Sequence, residues 1–556
     1  MVTKILQSIA QPISGLHKAA YILAVLSLGS QLLALVRDRL FAHTFGAGDI
    51  LDMYYASFKI PDLLFAGIIT LVSAYVLVPR IVSLSRDGIQ KLMSHTMLFL
   101  TGAYALICIP LLLLLPDILN LVFPKLYSIF GDEFVVFSAI LLFQPLFLGL
   151  SNIFGSVTQS KERFVLFALS PVVYNLGIIF GLLTLYPLWG LMGVALGVTL
   201  GSFFHLLINF FVLHEERTLP KITAPDWELL KAVIYDSFPR SLSMIAIAVT
   251  AVALASLASV SGEGLVAVFT LAGNIQAIPL SLIAVSYATA AFPLLSRQWG
   301  QGEVAAFQAT FLTAARHLIF WSVIIGGIFI VLRAHIVRVI LGTGEFDWGD
   351  TRLTAAVLSL LVLALFVQGF VLLSARAWYA AKRNWMPSII QCIGAAVTIT
   401  LSFVFIAVAK EHPMVLSVIE TLFRIENVDG SLVVMIALAV FCGHVVMALY
   451  TVFSMRDIIP HIGRELARPL LHSACASVMG GGAAYITLSL MGNIAPLSTL
   501  FMVLAQGVIA GMVGSIVALL VLVALDNQEI KSVYKALTKR TKVDLPTIAP
   551  NEQAGE

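Results

Sequence analysis

Charged residues interrupt the apolar sequence between residues 31 and 65, where two long apolar segments meet. Arg37, Asp38 and Arg39 follow directly on an apolar run, and Asp52 and Lys59 precede the next one. Arginine suits phosphate because its planar guanidinium makes paired hydrogen bonds to phosphate oxygens. A charged side chain within a membrane span costs about 2.5–3.5 kcal/mol on insertion scales, so we expect it to face a cavity and to carry function. The stretch therefore predicts part of a hydrated site for an anion.

The same residue types have a purely structural alternative. Arg37 and Arg39 could extend to the membrane interface and pair with Asp38, and Asp52 could cap a helix or pair within a loop. Gly46 and Gly48 are expected to permit a tight turn between the two apolar segments.

The composition is that of a polytopic membrane protein. Of 556 residues, 60% are hydrophobic and 11% are charged, whereas a soluble domain has about a quarter charged residues. The net charge of +3 does not indicate nucleic acid. The four cysteines are far apart within apolar runs and fit neither a disulfide framework nor a zinc site.

Fourteen apolar segments are long enough to cross a bilayer as helices. We therefore predict an all-α protein with about fourteen transmembrane helices. Their predicted bounds are 18–43, 62–85, 91–115, 133–157, 163–186, 190–213, 238–260, 264–297, 309–334, 351–378, 386–409, 431–455, 468–491 and 497–525.

The connections that carry most of the 33 Lys and Arg residues lie on one side of this topology, which places both termini in the cytoplasm. The expected location is the bacterial cytoplasmic (inner) membrane. The end of the first helix is then at the outer face.

The first twelve helices form two halves that carry similar motifs at equivalent positions, which indicates an internal repeat. YYASFKIP with Pro61 and FTLAGNIQAIP with Pro279 occupy equivalent helices, as do Pro171 and Pro387 after the basic turns QSKERF and YAAKRN. Equivalent helices run the same way, so the repeat is parallel and suits two lobes that rock about a midline cavity.

The predicted domains are an N-terminal lobe (1–213), a linker with an amphipathic helix (214–237), a C-terminal lobe (238–455), two further helices (456–525) and a cytoplasmic tail (526–556).

Several motifs together resemble one family, the MurJ/MviN-type lipid II flippases of the MOP exporter superfamily. RDRLFAHTFGAGDILDMYYASFKIP resembles the family's R-D-x-x-x-A-x-x-F-G-A-G-x-x-x-D-A-F-x-x-A-F-K/R-I/L-P signature. FALSPVVYN, IVRVILGTGEFD and SARAWYAAKRNWMP resemble further family motifs. The resemblance covers about residues 20–525, including the two extra C-terminal helices. It implies a flippase that moves undecaprenyl-pyrophosphate-linked peptidoglycan precursor to the outer leaflet, and that is not an ATPase.

The resemblance also assigns site residues. The substrate-binding candidates are Arg37, Asp38, Asp52, Lys59, Gln31, Asn274 and Arg376. The candidates for structural or gating roles are Gly46, Gly48, Pro61, Pro171, Asn175 and Pro279. No catalytic residue and no metal ligand is expected.

Three positions depart from the family pattern. The family has cavity arginines at the positions of Gln31, Phe65 and Asn274, so this cavity would be much less cationic. Three interpretations of this difference stay open. The protein is a divergent flippase, a paralogue that moves another lipid-linked saccharide, or a family member without transport activity.

Other functional classes are less well supported. A multidrug exporter of the same superfamily keeps the fold and changes the cargo, and a membrane scaffold would dock cell-envelope proteins without transport. An enzyme is the least supported, because no loop carries a nucleophile–base pair or metal-ligand spacing. We expect no cofactor, coupling to an unidentified ion or to the membrane potential, a monomer, and contacts with membrane lipids and cell-envelope synthesis proteins.

Overall fold

The computed structural model describes residues 16–72, 74–221, 226–494 and 499–532, and every regular element among them is a helix. The predicted tail lies outside the described residues from 533 onward. The N-terminal half contains helices α1 (Leu16–Phe45), α2 (Asp49–Ser57), α3 (Lys59–Ile68), α4 (Ala74–Val82), α5 (Arg86–Val122), α6 (Pro124–Phe130), α7 (Asp132–Leu141), α8 (Phe143–Ser160), α9 (Phe164–Phe180), α10 (Tyr186–Trp189) and α11 (Leu191–Glu215).

The C-terminal half and two further long helices complete the chain. They are α12 (Trp227–Ser261), α13 (Leu265–Leu280), α14 (Ser286–Gly300), α15 (Val304–Ile340), α16 (Trp348–Leu363), α17 (Leu365–Ala380), α18 (Trp385–Glu411), α19 (Pro413–Phe423), α20 (Leu432–Met455), α21 (Ile462–Ile494) and α22 (Leu500–Ala524).

Twelve helices among the described residues are long and apolar enough to cross a membrane. The pair α16 and α17, bent by 44°, adds a thirteenth if it is one span. The predicted count of fourteen is therefore not confirmed, although α1, a helix of 30 residues, lies at the first predicted span. The all-α polytopic class is confirmed.

The second span differs from its prediction. It begins at Asp49 and runs to Val78, whereas the sequence indicated 62–85. The polar stretch before Pro61 is helical, and its two acids have partners inside the protein: Asp49 pairs with Lys125, and Asp52 accepts from the Ala267 N–H. A buried polar group is stable only when it has such a partner.

Local signals set the helix ends. Asp347 and Asp350 form a capping box at the start of α16, which satisfies backbone N–H groups that the helix itself leaves unpaired. Ser85 caps α5 in a similar way through the N–H of Gly88.

The packing differs between the two membrane faces. One large hydrophobic core joins the two halves at the predicted outer end, where Phe41 and Met53 pack with Val266 and Phe346. At the predicted inner end there are two separate cores. One contains Leu92 and Phe154 of the N-terminal half, and the other contains residues of the C-terminal half, including Phe311, Leu373 and Trp378. The halves are thus joined at one end of the membrane and divided at the other.

Candidate functional site

Arg37 and Asp38 lie at the centre of a polar group that crosses between the halves. The Arg37 Nε and Nη2 atoms donate to Asp38 Oδ1 at 3.0 and 2.8 Å, and Nη1 donates to Asn175 Oδ1 at 2.9 Å. Asn274 Nδ2 donates to Asp38 Oδ2 at 2.9 Å. We call these four residues the Arg37 cluster. It brings together four residues that the sequence had proposed separately, from helices α1, α9 and α13.

Pro171 positions one member of the cluster. The Pro171 carbonyl accepts a hydrogen bond from Asn175 Nδ2 at 3.0 Å, which directs the amide oxygen of Asn175 toward Arg37. The Arg37 side chain is 18% exposed and the Asp38 side chain 3%, so the guanidinium is largely occupied by protein partners in this conformation.

Three hydrogen bonds join α13 and the residue directly after it to the N-terminal half, at points two helical turns apart. Ser281 Oγ donates to Gln31 Oε1 at 3.1 Å, Asn274 bonds to Asp38, and the Ala267 N–H donates to Asp52 Oδ1 at 2.8 Å. A spacing of seven residues returns to the same helix face. Gln31 and Asn274 therefore connect the halves directly.

Asp52 lies at the amino end of α13. It is fully buried, and its carboxylate oxygen accepts one of the N–H groups that a helix leaves unpaired in its first turn. The helix dipole favours a negative charge at this position. The alternative that Asp52 caps a helix therefore describes this contact. The capped helix, α13, belongs to the other half of the chain.

Backbone contacts close the predicted outer end. The Glu345 N–H donates to the His43 carbonyl at 3.1 Å, and the Ala47 N–H donates to Asp350 Oδ2 at 3.2 Å. Arg39 Nη1 donates to the carbonyls of Val339 and Ile340 at the end of α15. We call this region the outer seam: residues 39–52 against residues 264–267 and 339–350.

Glycines allow the close approach in the outer seam. Gly46 has φ +60°, and a Cβ there would lie 2.8 Å from the Glu345 carbonyl oxygen, so this position requires glycine. Gly48 is extended, with φ −123° and ψ −178°, which any residue can adopt. The tight turn therefore depends on Gly46 and not on Gly48.

Arg376 lies apart from the Arg37 cluster. It lines a cavity of about 630 Å³ at the predicted inner end, together with Arg240, Gln368, Gln391 and His444. Its guanidinium lies 5.8 Å from the centre of the Phe292 ring. Val76 of α4 borders the same cavity, whose other described lining residues lie between Asp236 and Met447. The cavity therefore belongs mainly to the C-terminal half, at the division between the two inner cores.

The remaining predicted residues lie on helices outside the lining of this cavity. Lys59 is half-buried in the first turn of α3, beside buried Pro61 and exposed Asp62. Within the described residues Lys59 makes no ion pair with a carboxylate. Phe65 packs against the inner core of the N-terminal half. Pro279 lies inside α13, directly before a π-helical turn at Ser281–Val285.

Sequence reasoning missed two functional candidates. Arg240 is not among the residues that the sequence singled out, yet it lines the inner cavity. Arg39 is not among the substrate-binding or gating candidates, yet it donates hydrogen bonds to the end of α15. The only sequence signal for Arg240 is a charge next to Pro239 inside a long apolar helix.

Comparison with known proteins gives a consistent result. The family model described as "Lipid II flippase MurJ" matches residues 41–418. A protein of Thermotoga maritima named "Probable lipid II flippase MurJ" is 27% identical over 67% of this chain and 76% of its own length. A protein of Rhizobium tropici with the same name is 24% identical, over 70% and 76%.

Solved structures share the fold. "Lipid II flippase MurJ, inward closed conformation" superimposes with a TM-score of 0.67 at 20% identity, covering 91% of this chain and all of that one. An inward-facing "multidrug resistance MATE family transporter of the MOP superfamily" has a TM-score of 0.62 at 16% identity, covering 79% and 99%. At these identities the likeness concerns the fold.

Proposed function

Because the chain belongs to the lipid II flippase MurJ family, we propose that it moves an undecaprenyl-pyrophosphate-linked peptidoglycan precursor from the inner to the outer leaflet by alternating access. The protein is a membrane transporter and not an enzyme. The precursor's polar headgroup would pass between the two halves, while its hydrocarbon tail stays in the bilayer.

The distribution of cores carries this proposal. The halves share one core at the outer end and have separate cores at the inner end, with the cavity between them. Opening the outer seam and joining the inner cores would expose the same space to the opposite side. Packed interfaces favour two discrete arrangements over gradual deformation, so this division suits a rocking transporter.

The cavity offers a cationic reception site. Arg240 and Arg376 both line it, beside Asp236, which pairs with Arg80, and arginine matches the geometry of phosphate oxygens. Gln368 and Gln391 add amide groups that suit a sugar headgroup. In this view, Arg240 in the cavity offsets the loss of family arginines at Gln31, Phe65 and Asn274.

A driving force follows from the same arrangement. Arg240 and Arg376 bring positive charge to the cavity, whereas Arg37 and Asp38 form a pair without net charge. One elementary charge moved through the field gains about 2.3 kcal/mol per 100 mV. We propose that the membrane potential biases the rocking motion, with both termini in the cytoplasm.

A second candidate keeps the mechanism and changes the headgroup. Asn274 bonds to Asp38 and Gln31 bonds to Ser281, so neither position presents a cation to the substrate. A transporter of a different lipid-linked saccharide fits this reduced charge.

Complementation tests the proposal. A bacterium depleted of its own lipid II flippase would express the native chain, Arg376→Gln, Arg37→Ala or the control Arg86→Gln, whose arginine is exposed at the start of α5. We expect rescue by the native chain and the control and failure of Arg376→Gln at equal membrane levels. Failure of Arg37→Ala would show that the cluster is also required.

Other outcomes would change the proposal. If a correctly inserted native chain does not rescue, the lipid II assignment fails, and another saccharide or a scaffold role takes its place. If Arg376→Gln rescues as well as the control, the cavity arginine is not the headgroup contact.

A further inference from the structure

We propose that the C-terminal half binds the phosphate of an anionic phospholipid in the outer leaflet, at a corner formed by Arg333, Arg424 and Tyr485. This site is separate from the cavity between the halves. It does not depend on which saccharide the protein transports.

Helix geometry places Arg333 at the level of lipid headgroups. Arg316 and Arg333 both lie on α15, and the apolar segment between them rises about 25 Å at about 1.5 Å per residue. That is close to the thickness of the hydrocarbon core. Arg316 pairs with Glu465 at the inner end, so Arg333 marks the opposite boundary.

Tyr485 on the neighbouring α21 lies at the same depth. The segment from Arg468 to Tyr485 also rises about 25 Å, and α21 begins at the same membrane face as α15. Half of the Tyr485 residue surface is exposed. Tyrosine is enriched at this depth because its ring is apolar and its hydroxyl is polar.

Arg424 brings a second guanidinium to this corner. Its Nη2 donates to the Tyr485 hydroxyl at 3.2 Å, and its guanidinium carbon lies 6.0 Å from the centre of the tyrosine ring. Arg333 reaches the same corner because its helix α15 packs along α21, which carries Tyr485.

No carboxylate balances these two charges within the described residues. The Arg333 guanidinium donates a hydrogen bond to the Ile330 carbonyl in its own helix, at 2.8 Å. The nearby Glu426 pairs with Arg352 at 3.8 Å, and Glu420 accepts from Ser431. Two arginines without an acid, at headgroup depth, form a site for a phosphate.

Helix α19 supplies the apolar side of the site. It directly precedes Arg424 and lies between the outer ends of α18 and α20. Met414, Val418 and Leu422 lie on one face, four residues apart, and are 79%, 60% and 67% exposed. Leu416 and Phe423 pack against the outer core. A helix with this exposed stripe, held at a span end, lies in the interface plane with its stripe toward acyl chains.

Native mass spectrometry of the full-length protein tests the site. Micelles would contain phosphatidylglycerol and phosphatidylcholine in equal amounts, and the bound lipid would be counted for the native chain, Arg333→Gln/Arg424→Gln and Tyr485→Phe. We expect the native chain to retain phosphatidylglycerol preferentially and the double variant to lose about tenfold in apparent affinity. Tyr485→Phe, which preserves packing, should show a smaller loss.

The matched control is Arg338→Gln. Arg338 lies on the same helix end, and its guanidinium is 5.9 Å from the centre of the Trp348 ring. It should retain the lipid like the native chain. Equal retention by the double variant, or no preference over phosphatidylcholine, would overturn the proposal. Displacement of the lipid by millimolar inorganic phosphate would show a free-anion site instead of a lipid site.

A spin label provides a second measurement that does not depend on arginine. In a variant without native cysteines, in liposomes, a nitroxide at Val418→Cys should collide more with oxygen than with a water-soluble nickel chelate. A nitroxide at Ser417→Cys, on the flank of the stripe, should show the reverse preference. Equal water exposure at both positions would contradict the placement of α19 in the interface.

Discussion

At the scale of residues, charges inside the protein are balanced by groups from distant parts of the chain. Asp38 accepts hydrogen bonds from Arg37 and from Asn274. The Asn274 amide lies at a position where the sequence resemblance predicts an arginine in the family. A neutral donor satisfies the carboxylate and keeps the contact between the halves.

Removing Asn274 should therefore destabilise this conformation. Asn274→Ala leaves one oxygen of the buried Asp38 unpaired, and losing a hydrogen bond to a charged group costs about 1.5–3 kcal/mol. We expect a lower thermal unfolding midpoint for Asn274→Ala than for Ser417→Ala, an exposed control. The measurement is thermal unfolding of both purified variants in one detergent. Equal midpoints would show that the Asp38–Asn274 bond contributes little to stability.

At the scale of elements, the closed outer end depends on how closely two turns approach. The turn between α12 and α13 meets the turn between α1 and α2, and a Cβ at Gly264 would lie 1.7 Å from the Ala47 carbonyl oxygen. Gly264 also has φ +72°. No other residue type fits this position without moving the two turns apart.

Gly264→Ala should open the outer seam. The left-handed backbone alone costs about 1–2 kcal/mol for alanine, and the steric clash adds to it. Alkylation of a cysteine at Met53, a fully buried position, in a variant without other cysteines would report the opening. We expect faster alkylation with Gly264→Ala.

Gly273→Ala is the control on the same helix α13. A Cβ there meets nothing within 4 Å, so its alkylation rate should match that of the parent. Unchanged alkylation with Gly264→Ala would mean that the turns can separate without exposing the shared core.

At the scale of the whole molecule, transport requires the outer core to separate. The shared core and the hydrogen bond from Glu345 to His43 hold the halves together in this conformation. Residues joined through such a backbone bond have Cα atoms within the range that a disulfide can bridge.

A disulfide between cysteines at positions 43 and 345 should therefore stop transport. In a variant without native cysteines, we expect loss of complementation under oxidising conditions and recovery after reduction. Two single-cysteine variants would serve as controls. Full transport by a quantitatively cross-linked protein would show that the outer seam does not open during the cycle.

The class, the family and the approximate positions of the spans could be predicted from the sequence. Length and hydropathy are local properties, and a bilayer core requires helices that satisfy their own backbone hydrogen bonds. Charge within an apolar segment singled out Arg37 and Asp38, and the resemblance to family motifs singled out Asn175 and Asn274.

Only the tertiary structure decided which of these residues meet. The Asp38–Asn274 bond joins residues far apart in the chain, and no local pattern encodes such a distance. The same holds for the helical start of the second span, where buried Asp52 accepts its hydrogen bond from the Ala267 N–H of α13. The division into one outer core and two inner cores likewise depends on packing between halves, which composition does not specify.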